Sequence, residues 1–197
     1  MALRQVKDTP TNNFATLNPL NKGNNLTLSN GNLKATTSTS SETVSVSNIG
    51  VSTGKWYMEG RTDGSYLNIG IIAESIAQSV GSLNFLGGQS NSWCYAVDAN
   101  VYNNGSSILN TGTTYGTNDV VGLLLDLDSG NLYFFKNGNP VYSGNAVVTG
   151  LSGTYYLGVG AGYSTKFVNF GQDPTFGGTK SPSTTYTDDN GIGSFHH

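Results

Sequence analysis

The amino-acid sequence predicts an all-β protein, an antiparallel β-sandwich of two sheets. Short apolar stretches, separated by Gly- and Asn-rich turn formers, recur along the chain at roughly 8–12-residue spacing. Charged residues make up only 11% of the 197, against ~25% in ordinary globular chains. Too few Glu, Lys and Arg remain to face long amphipathic helices. The net charge is only −3, and 11 Tyr, 8 Phe and 2 Trp are available for a core, so the high charge and low aromatic content that mark disorder are missing.

The elements follow in order. Residues 1–24 are Asn-, Thr- and Pro-rich with apolar anchors at Phe14, Leu17 and Leu20; they read as an arm packed along this domain or a neighbour. Periodic structure starts at Asn25. Leu26 and Leu28 alternate with polar residues, and Asn30-Gly31 supplies the positive φ angles of a hairpin turn before Leu33. Val44 and Val46 form a short strand. Lys55 to Glu59 and Tyr66 to Ile72 are the next two, joined by a turn at Asp63-Gly64. Ala73 to Val80 is the one stretch read as helix, about two turns long. Trp93 to Val97 is a strand, and Tyr102, Asn103-Asn104-Gly105 and Ile108-Leu109 make a hairpin. Asp119 to Leu127 reads as a central strand. Turns at Asp128-Ser129-Gly130 and Asn137-Gly138 flank Asn131 to Lys136, and Tyr155 to Gly162 and Lys166 to Phe170 complete the pattern. Residues 177–197 are polar and read as a tail or linker.

Composition excludes several functions. The nine Lys and Arg are scattered, so no patch stands ready to neutralise a nucleic-acid backbone. No run of 18 apolar residues is present, and the first eight residues hold no apolar core of a Sec-type leader. The single cysteine, Cys94, between Trp93 and Tyr95, reads as a buried strand thiol. Histidine occurs only at His196 and His197, which read as the stub of an affinity tag or of a longer tail. No Ser-His-Asp or Cys-His arrangement and no zinc set can be assembled from the folded region. No catalytic residue, metal or cofactor is expected, and a carboxylate pair such as Glu74 and Asp98 is the one hydrolase arrangement left to test. Asp126 and Asp128 lie on one strand face and read as turn carboxylates bonding backbone N–H groups rather than as a Ca²⁺ site. Trp56 and Trp93 read as core residues rather than sugar platforms.

The ordered strings Gly54-Lys55-Trp56-Tyr57-Met58-Glu59, Asn68-Ile69-Gly70-Ile71, Ser92-Trp93-Cys94-Tyr95, Asn118-Asp119-Val120-Val121-Gly122, Leu125 to Phe134 with Lys136-Asn137-Gly138, and Asn169-Phe170-Gly171-Gln172 resemble the SPRY family. The resemblance spans residues 25–176. Departures are Asn118 in place of the family's first Gly, and Leu157 where the family often has Pro. Asp8 to Phe14, Leu28 to Leu33 and Tyr186 to Gly191 resemble a SPRY subset found in phage and environmental-virus virion proteins. The resemblance implies a concanavalin-like jelly-roll sandwich that binds protein partners through loops at one edge. On this reading residues 1–24 are an N-terminal arm, 25–176 the sandwich and 177–197 a C-terminal tail.

The binding candidates are loop residues of the types that form adaptable recognition surfaces, rigid aromatics beside hydrogen-bonding amides. They are Tyr66, Phe85, Gln89, Asn91, Tyr102, Asn103, Asn104, Tyr115 and Tyr163. The expected role is a non-catalytic building or attachment module at a virion surface or another extracellular assembly. Its partners would be other subunits, itself included, contacted through the arm, the tail and the loops. The alternative is an adhesin that binds a host glycan through the Tyr/Asn loops. Neither nucleic-acid binding nor membrane insertion is expected.

Overall fold

The computed structural model describes residues 13–64 and 67–197. Among the described residues, two seven-stranded sheets pack face to face, and their strand pairs are antiparallel. Sheet 1 runs β1 (Leu17–Lys22), β4 (Thr43–Ser47), β13 (Tyr155–Ala161), β6 (Leu67–Ala73), β7 (Ser92–Ala96), β8 (Asn100–Asn103), β9 (Ser106–Asn110). Sheet 2 runs β12 (Asn139–Pro140), β11 (Asn131–Lys136), β10 (Val121–Asp126), β5 (Lys55–Thr62), β14 (Thr165–Asn169), β3 (Lys34–Thr36), β2 (Thr27–Ser29). The expected Asn30-Gly31 hairpin joins β2 to β3, with φ of +53° at Asn30 and +64° at Gly31.

Strand alternation sorts the side chains by face. Met58 of β5, Leu123 and Leu125 of β10, Leu132 and Phe134 of β11, and Leu67, Ile69 and Ile71 of β6 belong to one buried cluster between the sheets. Sheet 1 is buried on its other face too. Val44, Val46, Ile72 and Cys94 pack there against Ala77, Val80 and Leu86 from the β6–β7 connection. This second layer explains the unbroken run Ile69-Gly70-Ile71-Ile72, since a strand covered on both faces needs no polar alternation. Gly70 makes the close strand packing feasible. A Cβ there would fall 1.9 Å from the Trp93 carbonyl oxygen on β7.

The connection itself is less helical than the sequence predicts. One turn, α1 (Glu74–Ala77), is followed by a 3₁₀ turn at Val80–Ser82. Ala73 at the N-cap offers no side-chain acceptor, and a segment this short cannot offset the nucleation cost of a longer helix.

Both ends of the described chain pack on the sandwich. Residues 13–24, expected in an arm, supply β1, whose Leu17 is fully buried, while Leu20 points to solvent at 95% exposure. In the expected tail, β15 (Tyr186–Thr187) and β16 (Ser194–Phe195) form a hairpin against the outer face of sheet 2. Its anchor is Glu59, fully buried on β5. Glu59 accepts backbone N–H bonds from His196 and His197, each at 2.8 Å, and an Asn169 amide bond at 3.1 Å. Asn169 also donates to the Ser194 carbonyl at 2.8 Å. The Phe195 ring meets Tyr57 edge-on at 5.0 Å. His196 is buried, its Nδ1 2.9 Å from the Pro174 carbonyl, so both histidines are part of the packed structure.

Trp56 corrects the core assignment. Burial along β5 begins only past its first residues, and Trp56 is 44% exposed. Trp93 is half-buried, edge-on to Tyr155 at 6.2 Å. Asp126 and Asp128 act in turns. Asp126 accepts from the backbone N–H groups of Asp128 and Ser129 and pairs with Lys55 at 2.8 Å; Asp128 accepts from Gly54 N–H at 2.8 Å.

Two outcomes follow for stability. Gly70→Ala is expected to cost about 3 kcal/mol or more, because the obstructing atoms are backbone. Gly105→Ala, at φ +74° with open space around it, should cost only about 1 kcal/mol; urea denaturation of both checks the contrast. Glu59→Ala strands two buried N–H donors, so a loss of about 2–5 kcal/mol is expected. Limited proteolysis should then cut between residues 177 and 193, and an unchanged cleavage pattern would contradict the clamp.

Candidate functional site

Six of the nine loop candidates meet at the β7–β8–β9 side of sheet 1. Phe85 and Tyr102, both half-buried, stack edge to face with centroids 6.0 Å apart. Tyr102 Oη donates to Asp98 at 2.7 Å. Burial works to raise the Asp98 carboxyl, but hydrogen bonds from Tyr102 and Asn100 outweigh it and hold the group below its ordinary value. Beside the rings, Asn103 Nδ2 donates to the Ser90 and Ser92 carbonyls, both at 2.8 Å. Asn104 N–H bonds the Gln89 carbonyl at 3.1 Å, and Gly105 N–H the Gly87 carbonyl at 3.0 Å. Asn91 reaches Ser75 Oγ at 3.2 Å. The loop before β7 and the β8–β9 turn are thereby joined, leaving Gln89, Asn91 and Asn104 exposed beside two aromatic rings.

The loop is pinned from below at Leu86. Its N–H donates to Glu42 Oε1 at 3.0 Å, and its carbonyl accepts from Cys94 Sγ at 2.7 Å. The other Glu42 oxygen accepts from Asn68 Nδ2 at 2.6 Å. Gly160 makes room for this carboxyl, since a Cβ there would lie 1.9 Å from Oε1. Burial pushes Glu42 up to about 7, against bonds from Leu86 and Asn68 and the charge of Lys166. Sequence reading passed over Glu42 and Glu59; a lone carboxylate in or next to a strand, in a chain with only 11% charged residues, is the signal that marks both.

The other three candidates lie elsewhere. Tyr163, 66% exposed at φ +40°, sits in the β13–β14 turn at the opposite end of sheet 1. Tyr115 is not available to a partner. It is 6% exposed, its Oη 2.6 Å from the Leu67 carbonyl and 2.8 Å from that of Tyr95. The polar residues around it disguised a ring that plugs the end of the core. Tyr66 lies outside the described residues. Glu74 and Asp98 flank opposite ends of β7 and its partner β6. At ~3.4 Å per strand residue they stand farther apart than the ~5–9.5 Å of glycosidase carboxylate pairs.

A raised carboxyl stabilises the fold most when protonated in both states. The Glu42 contribution should therefore be complete below its unfolded value near ~4.3 and be lost as pH rises through about 7. Through Glu42, wild-type stability is expected to fall by roughly 3 kcal/mol over that window, in addition to any fall through Glu59, whose carboxyl burial also raises. Glu42→Gln, with the Asn68 amide flipped to accept, should flatten the fall; equal slopes for the two proteins in chemical denaturation would refute it.

The sequence model of the SPRY domain matches residues 55–173, from the start of β5 to just past β14. Among solved structures, the SPRY domain of human HERC1 superposes with a TM-score of 0.63 at 17% identity, covering 77% of this chain and 96% of that one. The TRIM65 PSpry domain gives 0.59 at 15% identity, covering 79% and 89%. Stonustoxin gives 0.58 at 19%, covering 79% of this chain and 26% of its own. At these identities the likenesses speak for the fold alone. No curated protein matches the chain. The chain belongs to the SPRY family, whose domains are generally protein-interaction modules.

Proposed function

We propose that this chain is a non-catalytic protein-binding module that serves as a surface component of a virion or another extracellular assembly. The observation that carries the binding role is the Phe85–Tyr102 platform, fastened to Gln89, Asn103 and Asn104 by the bonds just described. A surface ordered before contact loses little entropy on binding, and rigid rings beside adaptable amides fit a protein partner. The low charge supports service in an assembly, because contacts of this kind depend little on ion pairs that salt would screen. The virion placement rests on the resemblance of Asp8 to Phe14, Leu28 to Leu33 and Tyr186 to Gly191 to virion SPRY proteins. β1 and the β15–β16 hairpin pack on the sandwich itself, and the platform adds a further surface for contact with neighbours.

Imaging of the native assembly with this chain traced in it tests the reading. The expected result is a regular array in which the platform faces a neighbouring subunit. Tyr102→Ala should lower the affinity for that neighbour at least about tenfold without lowering thermal stability by more than a few degrees. A platform facing solvent throughout the array would refute the binding role, and particles lacking the chain would refute the virion placement.

A further inference from the structure

A second surface offers different chemistry. A cleft of about 690 Å³ opens between the sandwich and the β15–β16 hairpin, within the ~300–1,000 Å³ range of small-molecule sites. Val51, Leu157 and Phe170 contribute apolar lining; Trp56 and Tyr186 line it as well and are 44% and 54% exposed. Trp56 Nε1 donates to the Thr53 carbonyl at 2.7 Å. The indole is thus held by its polar edge beside the cleft. We propose that this cleft binds a neutral saccharide, stacked on the face of Trp56 and bonded through its hydroxyls to Asp189 and Asn190.

Three observations select that ligand class. Aromatic faces carry partial negative charge and suit the C–H-rich face of a sugar ring. Carboxylate and carboxamide groups suit its hydroxyls, and Asp189 and Asn190 are exposed on the hairpin turn, whose shape Asp188 fixes by accepting from Ile192 N–H at 2.9 Å. The lining cations are neutralised. Lys55 is paired with Asp126 at 2.8 Å, and burial, with His196 and Lys180 nearby, holds the His197 imidazole below its ordinary value. An anionic ligand would therefore meet uncompensated carboxylates.

An extended peptide fits less well. The Trp56 strand, β5, is central in sheet 2, between β10 and β14, and offers no free edge for an added strand. The cleft also shares no lining residue with the Phe85–Tyr102 platform. The inference therefore stands or falls independently of the protein-binding role.

The test uses the full chain on an array of neutral and anionic glycans, followed by titration with the best neutral oligosaccharide. Acrylamide quenching of tryptophan fluorescence reports protection of the exposed indole. The expected result is neutral-glycan binding that shields Trp56, weakens at least about tenfold in Trp56→Ala and severalfold in Tyr186→Ala, and persists in Tyr102→Ala. Circular dichroism checks that each variant is folded. Tyr186 is exposed on a two-residue strand, so its variant decides the outcome if Trp56→Ala unfolds. The proposal fails if no neutral glycan binds, if only anionic glycans bind, or if binding survives both cleft substitutions.

Discussion

Burying the Glu59 carboxylate on the outer face of sheet 2 sets the course of the chain around it. A carboxyl removed from water needs donors for its oxygens. Here they come from two consecutive backbone N–H groups, His196 and His197, and from the Asn169 amide. Burial still pushes the group above its ordinary value, against the pull of these bonds and of Tyr57. The donors can be in place only if the segment after β14 returns to the sheet, so residues 186–197 are drawn in with Phe195 and His196. Asn169 couples the two regions through its side chain: Oδ1 accepts from the Gly171 and Asp173 N–H groups, turning the chain away from β14, while Nδ2 donates to Glu59 and to the Ser194 carbonyl. The hairpin wall of the Trp56 cleft exists because of this clamp.

Sheet 1 repeats the logic with different parts. Its outer face is covered by the β6–β7 connection, an irregular segment that earns its place through Ala77, Val80 and Leu86. Apolar contact alone would leave such a segment free to slide. Glu42 and Cys94 prevent this by engaging the N–H and carbonyl of Leu86, and the neighbouring residues then present Phe85 and Gln89 at a defined height above β8. Recognition surface and core thus share one residue, Leu86, whose side chain is buried while its backbone carries the loop.

Much of this was legible in the strings themselves. The turn pairs Asn30-Gly31 and Asn137-Gly138, the strand around Lys55 to Glu59 and the alternation through Leu123, Leu125, Leu132 and Phe134 report local conformation and face, which short-range sterics impose. The grouping of Phe85, Gln89, Asn91, Tyr102, Asn103 and Asn104 was only half legible. Composition marked them as contact residues, but nothing local says that a loop and a turn eleven or more residues apart hydrogen-bond into one surface. Tyr115 and Trp56 were misread in opposite directions, because a ring in a polar stretch can enter the core and a ring in a strand can overhang its end.

The sequence by itself determined the fold class and the succession of strands along the chain, because period-two alternation and turn chemistry act within a few residues; the family resemblance is carried by its ordered motifs. Only the tertiary structure decided that β1 and the segment 186–197 are parts of the sandwich, that Glu42 and Glu59 are anchors, and that Trp56 faces a cleft. Burial and hydrogen-bond partnership are set by which distant segments arrive at the same place, and distance along the chain carries no record of that.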